Sequence, residues 1–230
     1  MTRIRFQQNL DELKEKLLVM AGLAEQAIQR ATEAYRLRDL SICDQVSRGE
    51  IEINNLEREI DQAATDLLAT EQPMAVDLRF ILSVIKINAD LERVGDAAKR
   101  ISDRVRKMER MGAADMPVDI PRMAALAADM VRKSLQAFIE GDAALAHSVL
   151  TMDDAVDAMN RAAYKALTNV MEEQSTLARQ ALNALMIARA LERMADRATN
   201  IAEEVIFWVQ GEDIRHFKSL KVSPDPHAME

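Results

Sequence analysis

Apolar residues recur every three or four positions along most of the chain. In the first stretch they form one stripe at helical spacing, made of Phe6, Leu10, Leu13, Leu17, Met20, Ala24 and Ile28. Such a stripe is typical of a helix that buries one face. Helix-capping and helix-breaking residues interrupt the pattern at Asp39, Pro73, 112–121, Gly141, Ser175 and Gly211. The spacing therefore predicts about six helices, the first containing the stripe and the others covering about 40–69, 75–108, 120–140, 143–173 and 177–210.

The sequence of the third predicted helix recurs in the sixth, 100 positions later. Between 87–105 and 187–205, the shared residues are Ile, Leu, Glu, Arg, Asp, Ala, Ile and Val, 8 of 19 positions. A weaker match at an offset of 103 joins the first and second helices to the fourth and fifth. These matches indicate a duplicated three-helix unit. We therefore predict an all-α fold of two tandem three-helix bundles, with repeats at 1–112 and 113–216 and a tail at 217–230.

Composition supports helices and narrows the choice of partner. Gly and Pro supply 11 of 230 residues, well below the usual share of roughly 12%, which argues against a sandwich or barrel. The net charge of −8 would repel a phosphodiester backbone, so nucleic acid is not expected as a partner.

A single cysteine, Cys43, excludes an internal disulfide. No secretion signal is recognisable, and the longest apolar run, 17–24, is shorter than the ~20 residues of a spanning helix. A cytoplasmic protein is expected.

Acidic pairs stand four positions apart on the second and third helices of each half. These pairs are Glu57/Asp61, Glu92/Asp96, Asp153/Asp157 and Glu192/Asp196. Like charges at this spacing destabilise an isolated helix by about 0.2–0.5 kcal/mol per pair. On the sixth helix, Asn200 and Glu203 extend the same stripe opposite the apolar positions. The stripe is thus predicted to face solvent or a cation.

The repeat favours a cation over a simple solvated face. The pairs Glu92/Asp96 and Glu192/Asp196 keep their register, whereas the neighbouring Lys99 is replaced by Thr199. Oxygen ligands with no neighbouring His or Cys suit Mg²⁺, Mn²⁺, Ca²⁺ or oxygen-bound iron rather than zinc.

A ferritin-like di-iron site is not expected, because it requires a Glu-x-x-His motif. Gly95 and Ala195 stand three positions after the two glutamates, where that motif has His. These small residues are expected to allow close packing of helices.

Two segments resemble a known family. The sequences ADLERVGD at 89–96 and ALERMADRATNIAEE at 190–204 resemble the duplicated signature of the PhoU family of phosphate-uptake and phosphate-signalling regulators. The likeness extends to Glu71-Gln72-Pro73, to Asp77-Leu78-Arg79 and to 211–216, and it covers about residues 10–216.

This resemblance implies two similar three-helix bundles whose acidic motifs hold multinuclear metal clusters. Carried over residue by residue, it implies the metal ligands Glu50, Glu57, Asp61, Glu92, Asp96, Asp153, Asp157, Glu192 and Asp196. The stripe on the sixth helix adds Asn200 and Glu203 to the predicted ligands. It further implies a negative regulator, not an enzyme, that acts on the ATPase subunit of a Pst-type phosphate ABC transporter and restrains a PhoR-type sensor histidine kinase. Such a protein reaches the membrane only through its partners, and a homodimer is expected.

Two other functions stay open at the level of sequence. A metal-dependent hydrolase is chemically possible, although the sequence places no activating base or substrate pocket. A metal-free helical adaptor, whose acidic stripes meet basic partner surfaces, fits nearly as well. The halves also differ: Asn54 stands where the second half has Asp157, and Arg100 stands where it has Asn200. Because Arg100 follows Asp96 by one turn, we expect it to compete with a cation for that carboxylate.

Overall fold

The chain folds into six long helices and one short 3-10 turn. A computed structural model describes residues 3–112 and 114–214, and no strand occurs in these ranges. The helices are α1 (Arg3–Leu37), α2 (Leu40–Glu71), α3 (Val76–Glu109), α4 (Ile120–Glu140), α5 (Ala143–Glu173) and α6 (Ala178–Gln210), and the turn at Ser175–Leu177 precedes α6. The predicted all-α class and helix positions are confirmed to within a few residues.

Side chains at the helix starts explain these bounds. The carboxylates of Asp39 and Asp142 accept backbone N–H groups in the first turns of α2 and α5, and Asp119 does the same for α4. Such caps satisfy amide groups that have no partner inside the helix. Gly141 ends α4 at φ 64°, a left-handed conformation that costs glycine little, and its N–H donates to the Ala137 carbonyl.

The centre of the molecule is an antiparallel pairing of α3 with α6. Arg79 Nε donates to the Trp208 carbonyl at 3.3 Å, and Ser83 Oγ donates to the Glu204 carbonyl at 3.1 Å. Toward the other end of the pair, Arg104 Nη1 lies 3.5 Å from Asn183 Oδ1. These contacts are symmetric about the middles of the two helices, because the Ser83–Glu204 contact corresponds to the Asn183–Arg104 contact in the 100-residue repeat. A pseudo-twofold axis through the middle of the pair therefore relates the two halves.

The remaining helices surround this pair. In the first half α1 and α2 pack on α3, in the second half α4 and α5 pack on α6, and α1 also contacts α4. Three rings cross between the halves: Phe80 of α3 lies 5.8 Å from Phe138 of α4 and 5.3 Å from Trp208 of α6, centroid to centroid. The core is therefore continuous across the repeat boundary.

No helix in the described ranges is long and apolar enough to cross a membrane. The predicted tail at 217–230 lies outside the described residues. The division at 112/113 stays a prediction, because extensive packing of α3 on α6 joins the two repeats.

Candidate functional site

The seam between α2 and α3 holds one group of four carboxylates, here called the first acidic group. It consists of Glu57, Asp61, Glu92 and Asp96. The two helices run antiparallel, so the pair on α2 faces the pair on α3, and Asn88 Nδ2 donates to Asp61 Oδ1 at 2.9 Å. Glu92 is close enough to Glu57 and Asp96 to feel both charges. The two acidic pairs predicted from spacing thus meet across one seam.

The seam between α5 and α6 holds the corresponding second acidic group. It consists of Asp157, Glu192 and Asp196, whose charges act on one another. Asn160 and Tyr164 stand on α5 where the first half has Glu57 and Asp61. The second group therefore has fewer carboxylates in the same framework.

In each acidic group, burial and neighbouring like charges raise the pKa of a glutamate. Partial burial, followed by the like charges of Asp96 and Glu57, raises the pKa of Glu92 above its ordinary value. Partial burial and the charges of Asp196 and Asp157 raise the pKa of Glu192 in the same way. Desolvation and repulsion both disfavour the ionised form. A bound cation would relieve both.

Two of the predicted ligands are engaged elsewhere. Glu50 is buried, with Oε2 at 3.0 Å from Lys99 Nζ and Oε1 accepting from Asn54 Nδ2 at 2.9 Å. Asn200 points across the α3–α6 seam, where its Nδ2 lies 3.4 Å from Asp90 Oδ1. The structure therefore does not bring these two side chains into the acidic groups. Helical spacing predicts that Asn200 shares a stripe with Glu192, but in the packed structure the Asn200 side chain contacts Asp90 of α3.

The last two predicted ligands, Asp153 and Glu203, lie on the same two helices as the second group. Asp153 lies one turn before Asp157 on α5, and Glu203 lies near the end of α6. Both are partly buried, and each has contacts of its own.

Ion pairs reach into both acidic groups. Arg100 Nη2 lies 2.9 Å from Asp96 Oδ2, as predicted from the spacing of these residues. The structure adds a pair that sequence reasoning missed, between Arg161 Nη1 and Asp157 Oδ2 at 3.5 Å. The same i, i+4 rule could have found it. The pair in the second group is longer, and its arginine is more exposed.

The donor chemistry of these seams suits a hard cation. Asn54 Oδ1, Asn88 Oδ1 and Asn160 Oδ1 are buried amide oxygens with no hydrogen-bond partner among the described residues. An unpartnered buried oxygen is costly, and a cation would satisfy it. Across 3–112 and 114–214, however, no three Asp, Glu, His or Cys side chains are arranged to hold a metal ion as they stand. Metal binding here requires side chains to turn.

Comparison with known proteins shows which family has this sequence and architecture. The family model described as "PhoU domain" matches twice, at residues 17–105 and 120–205. A "phosphate-specific transport system accessory protein PhoU homolog" from Pseudomonas aeruginosa is 36% identical over 213 residues, covering 92% of this chain and 88% of that protein. The PhoU accessory protein from Escherichia coli is 30% identical over 214 residues, with the same two coverages.

Two crystal structures share the fold. PhoU from Pseudomonas aeruginosa superposes with a TM-score of 0.84 at 36% identity and covers 90% of this chain and 100% of its own. The phosphate transport system regulatory protein PhoU from Streptococcus pneumoniae gives a TM-score of 0.83 at 27% identity, covering 91% and 99%.

Proposed function

Because the chain belongs to the PhoU family, we propose that it is an accessory regulator of a phosphate-specific transport system. The observation that carries this proposal is the match of both repeats to the family, together with relatives named as accessory proteins of that system over 92% of the chain. A regulatory role without catalysis agrees with those names.

The finer proposal is an adaptor that represses phosphate-starvation signalling. In phosphate-rich conditions it would sit at the cytoplasmic side of the membrane, contact the transporter ATPase and restrain a sensor histidine kinase. Long helices with a continuous core support this role, since such a body presents rigid surfaces to two partners at once. We further propose a homodimer.

Metal binding is the second part of the proposal. The first group would use Glu57, Asp61, Glu92 and Asp96, and the second would use Asp157, Glu192 and Asp196. Mg²⁺, Mn²⁺, Ca²⁺ or iron would offset the repulsion that raises the pKa of Glu92 and Glu192. The support is the all-oxygen donor set and the three buried amide oxygens beside it.

A metal-free adaptor is the competing candidate, and a specific observation favours it. Lys99 and Arg100 already neutralise Glu50 and Asp96. Elemental analysis of protein purified without chelator separates the two candidates. Metal in stoichiometric amount supports the metal-binding form, and its absence together with intact regulation supports the metal-free adaptor.

Deletion of the gene tests the regulatory role. We expect a phosphate-starvation reporter to switch on in phosphate-rich medium in the deletion strain and to be silenced again by the restored gene. Unchanged reporter expression would contradict the signalling role. Co-purification from phosphate-replete cells then identifies the partner, with the transporter ATPase and the kinase expected in the eluate.

A further inference from the structure

The seam between α3 and α6 opens into a basic cleft on one side of the pseudo-twofold axis. Its volume is about 150 Å³, and its cationic lining residues are Arg100, Arg104, Lys107, Arg189 and Arg193. Among the described residues that line it, Asp103 is the only carboxylate. We propose that this basic cleft binds a small phosphate-type oxyanion, either inorganic phosphate or pyrophosphate.

Most of these cations form no close ion pair, although the charges of Arg189 and Arg193 act on Glu192 of the second acidic group. Arg100 pairs with Asp96 at 2.9 Å, but in the described part of the chain the other four form no ion pair within 4.0 Å. Four of the five cations are exposed at the cleft and the fifth, Arg104, is half-buried, and like charges crowded in this way repel one another. A multivalent anion between α3 and α6 would turn this repulsion into attraction.

The opposite side of the same seam shows how α3 and α6 pack when their charges are balanced. There Asp90 lies 3.4 Å from both Arg93 and Arg197. One turn away, Lys86 Nζ lies 3.0 Å from Glu204 Oε1. Each buried carboxylate thus has a cation opposite it.

The basic cleft lacks both of these carboxylates. By the 100-residue repeat, Ala190 stands where the opposite side has Asp90, and Arg104 stands where it has Glu204. The pseudo-twofold brings these positions to equivalent places on the two sides. Packing of α3 on α6 therefore does not require the excess of positive charge, which points to a ligand from outside.

Size and geometry restrict that ligand. Pockets for drug-sized molecules usually measure about 300–1,000 Å³, so a cleft of about 150 Å³ suits a compact ion. The planar guanidinium groups of four arginines match the oxygens of a phosphoryl group, with two parallel hydrogen bonds possible for each. Pyrophosphate carries more charge than phosphate and should bind more tightly.

Calorimetric titration of the full, chelator-treated chain tests the proposal. We expect saturable binding of inorganic phosphate and tighter binding of pyrophosphate, both weakened by added salt. The double variant Lys107→Gln/Arg189→Gln removes two exposed cations that form no ion pair within 4.0 Å among the described residues, and it should weaken pyrophosphate binding about tenfold or more. The control Arg48→Gln/Arg122→Gln removes the same charge from exposed positions outside the cleft and should change binding less than about twofold.

A second variant tests the comparison between the two sides of the seam. Ala190→Asp introduces a carboxylate where the opposite side has Asp90, and it should also weaken pyrophosphate binding. Three results would overturn the proposal: no saturable binding by the wild type in the millimolar range, equal losses in the cleft and control variants, or binding that appears only after Mn²⁺ is restored. The last result would assign the anion to a metal in the acidic groups.

Discussion

At the scale of single residues, Gly95 sets the distance between α2 and α3. A Cβ atom at this position would lie 2.8 Å from Cδ1 of Ile53, which is fully buried. In the second half the corresponding residues are Ala195 and Val156. The first half therefore pairs glycine with the larger isoleucine, and the second half pairs alanine with the smaller valine. The expected packing role of Gly95 is confirmed.

This complementarity predicts a coupled pair of substitutions. Gly95→Ala should gain about 1 kcal/mol of helix propensity and lose about 1–3 kcal/mol to overpacking against Ile53. Ile53→Val removes the clashing methyl at a cost of about 0.5–1.5 kcal/mol. We expect the double variant to be more stable than the sum of the singles by about 1 kcal/mol. Urea unfolding of all four proteins measures this coupling, and simple additivity would contradict it.

The ion pairs that arginines form with the acidic groups predict that the two groups retain metal unequally. The shorter ion pair, at 2.9 Å, lies in the first group between Arg100 and Asp96, so a cation must displace a closer competitor there. We expect Glu192→Gln/Asp196→Asn to remove more bound metal than Glu92→Gln/Asp96→Asn, measured by elemental analysis. Equal losses, or a larger loss from the first group, would show that the ion pair does not decide retention.

The second group has its own competitor, which supplies a control. Arg161 lies 3.5 Å from Asp157. Arg100→Gln should increase metal retention more than Arg161→Gln, because it breaks the shorter pair. The reverse order would place the stronger competition in the second group.

At the scale of helices, the α2–α3 seam brings like charges together, and this predicts a pH dependence. Burial and the charges of Asp96 and Glu57 raise the pKa of Glu92 in the folded protein above its ordinary value of 4.5. The stability contributed by protonated Glu92 is therefore fully present below pH 4.5, and it is lost as the pH rises through the raised pKa of the folded protein. Without metal, Glu92→Gln should be more stable than the wild type at neutral pH.

Denaturant midpoints at a series of pH values measure this effect. The advantage of Glu92→Gln should shrink as pH falls through the raised pKa, because the wild-type glutamate is then protonated too. Glu52→Gln is a matched control at an exposed position of α2 and should show no such trend. A constant difference between Glu92→Gln and the wild type at all pH values would contradict the prediction.

At the scale of the whole molecule, the α3–α6 pairing predicts that both halves unfold together. The Lys86–Glu204 ion pair joins the two halves, and so does the contact of Phe80 with Phe138 and Trp208. Neither half can open without exposing the face that covers the other. Cooperative unfolding of this kind produces coincident transitions by different probes.

The single tryptophan provides the local probe. Fluorescence of Trp208 and far-UV circular dichroism should give the same urea midpoint, and Phe80→Ala should lower both equally, at a cost of about 3–5 kcal/mol. Tyr164→Ala, at an exposed position of α5, should leave both nearly unchanged. Separate midpoints for fluorescence and circular dichroism would show that the repeats unfold as independent domains.

The sequence by itself determined the helices, the duplication and the acidic pairs. These properties depend on local rules: the helical period, capping by residues such as Asp39 and Asp142, and spacing of four between like charges. The Arg100–Asp96 ion pair belongs to the same class, because both residues lie on one helix and one turn apart. A rule that acts within a single helix can be read without knowing what packs against it.

The tertiary structure alone decided what each polar stripe faces. Glu50 meets Lys99, and Asn200 turns to Asp90, because neighbouring helices place those partners within reach. The antiparallel pairing of α3 with α6 likewise gathers cations that are distant in sequence into one cleft, and it places ion-paired carboxylates and cations on the opposite side. Such encounters depend on which face of one helix covers which face of another. That choice comes from packing the whole core, and no single helix contains it.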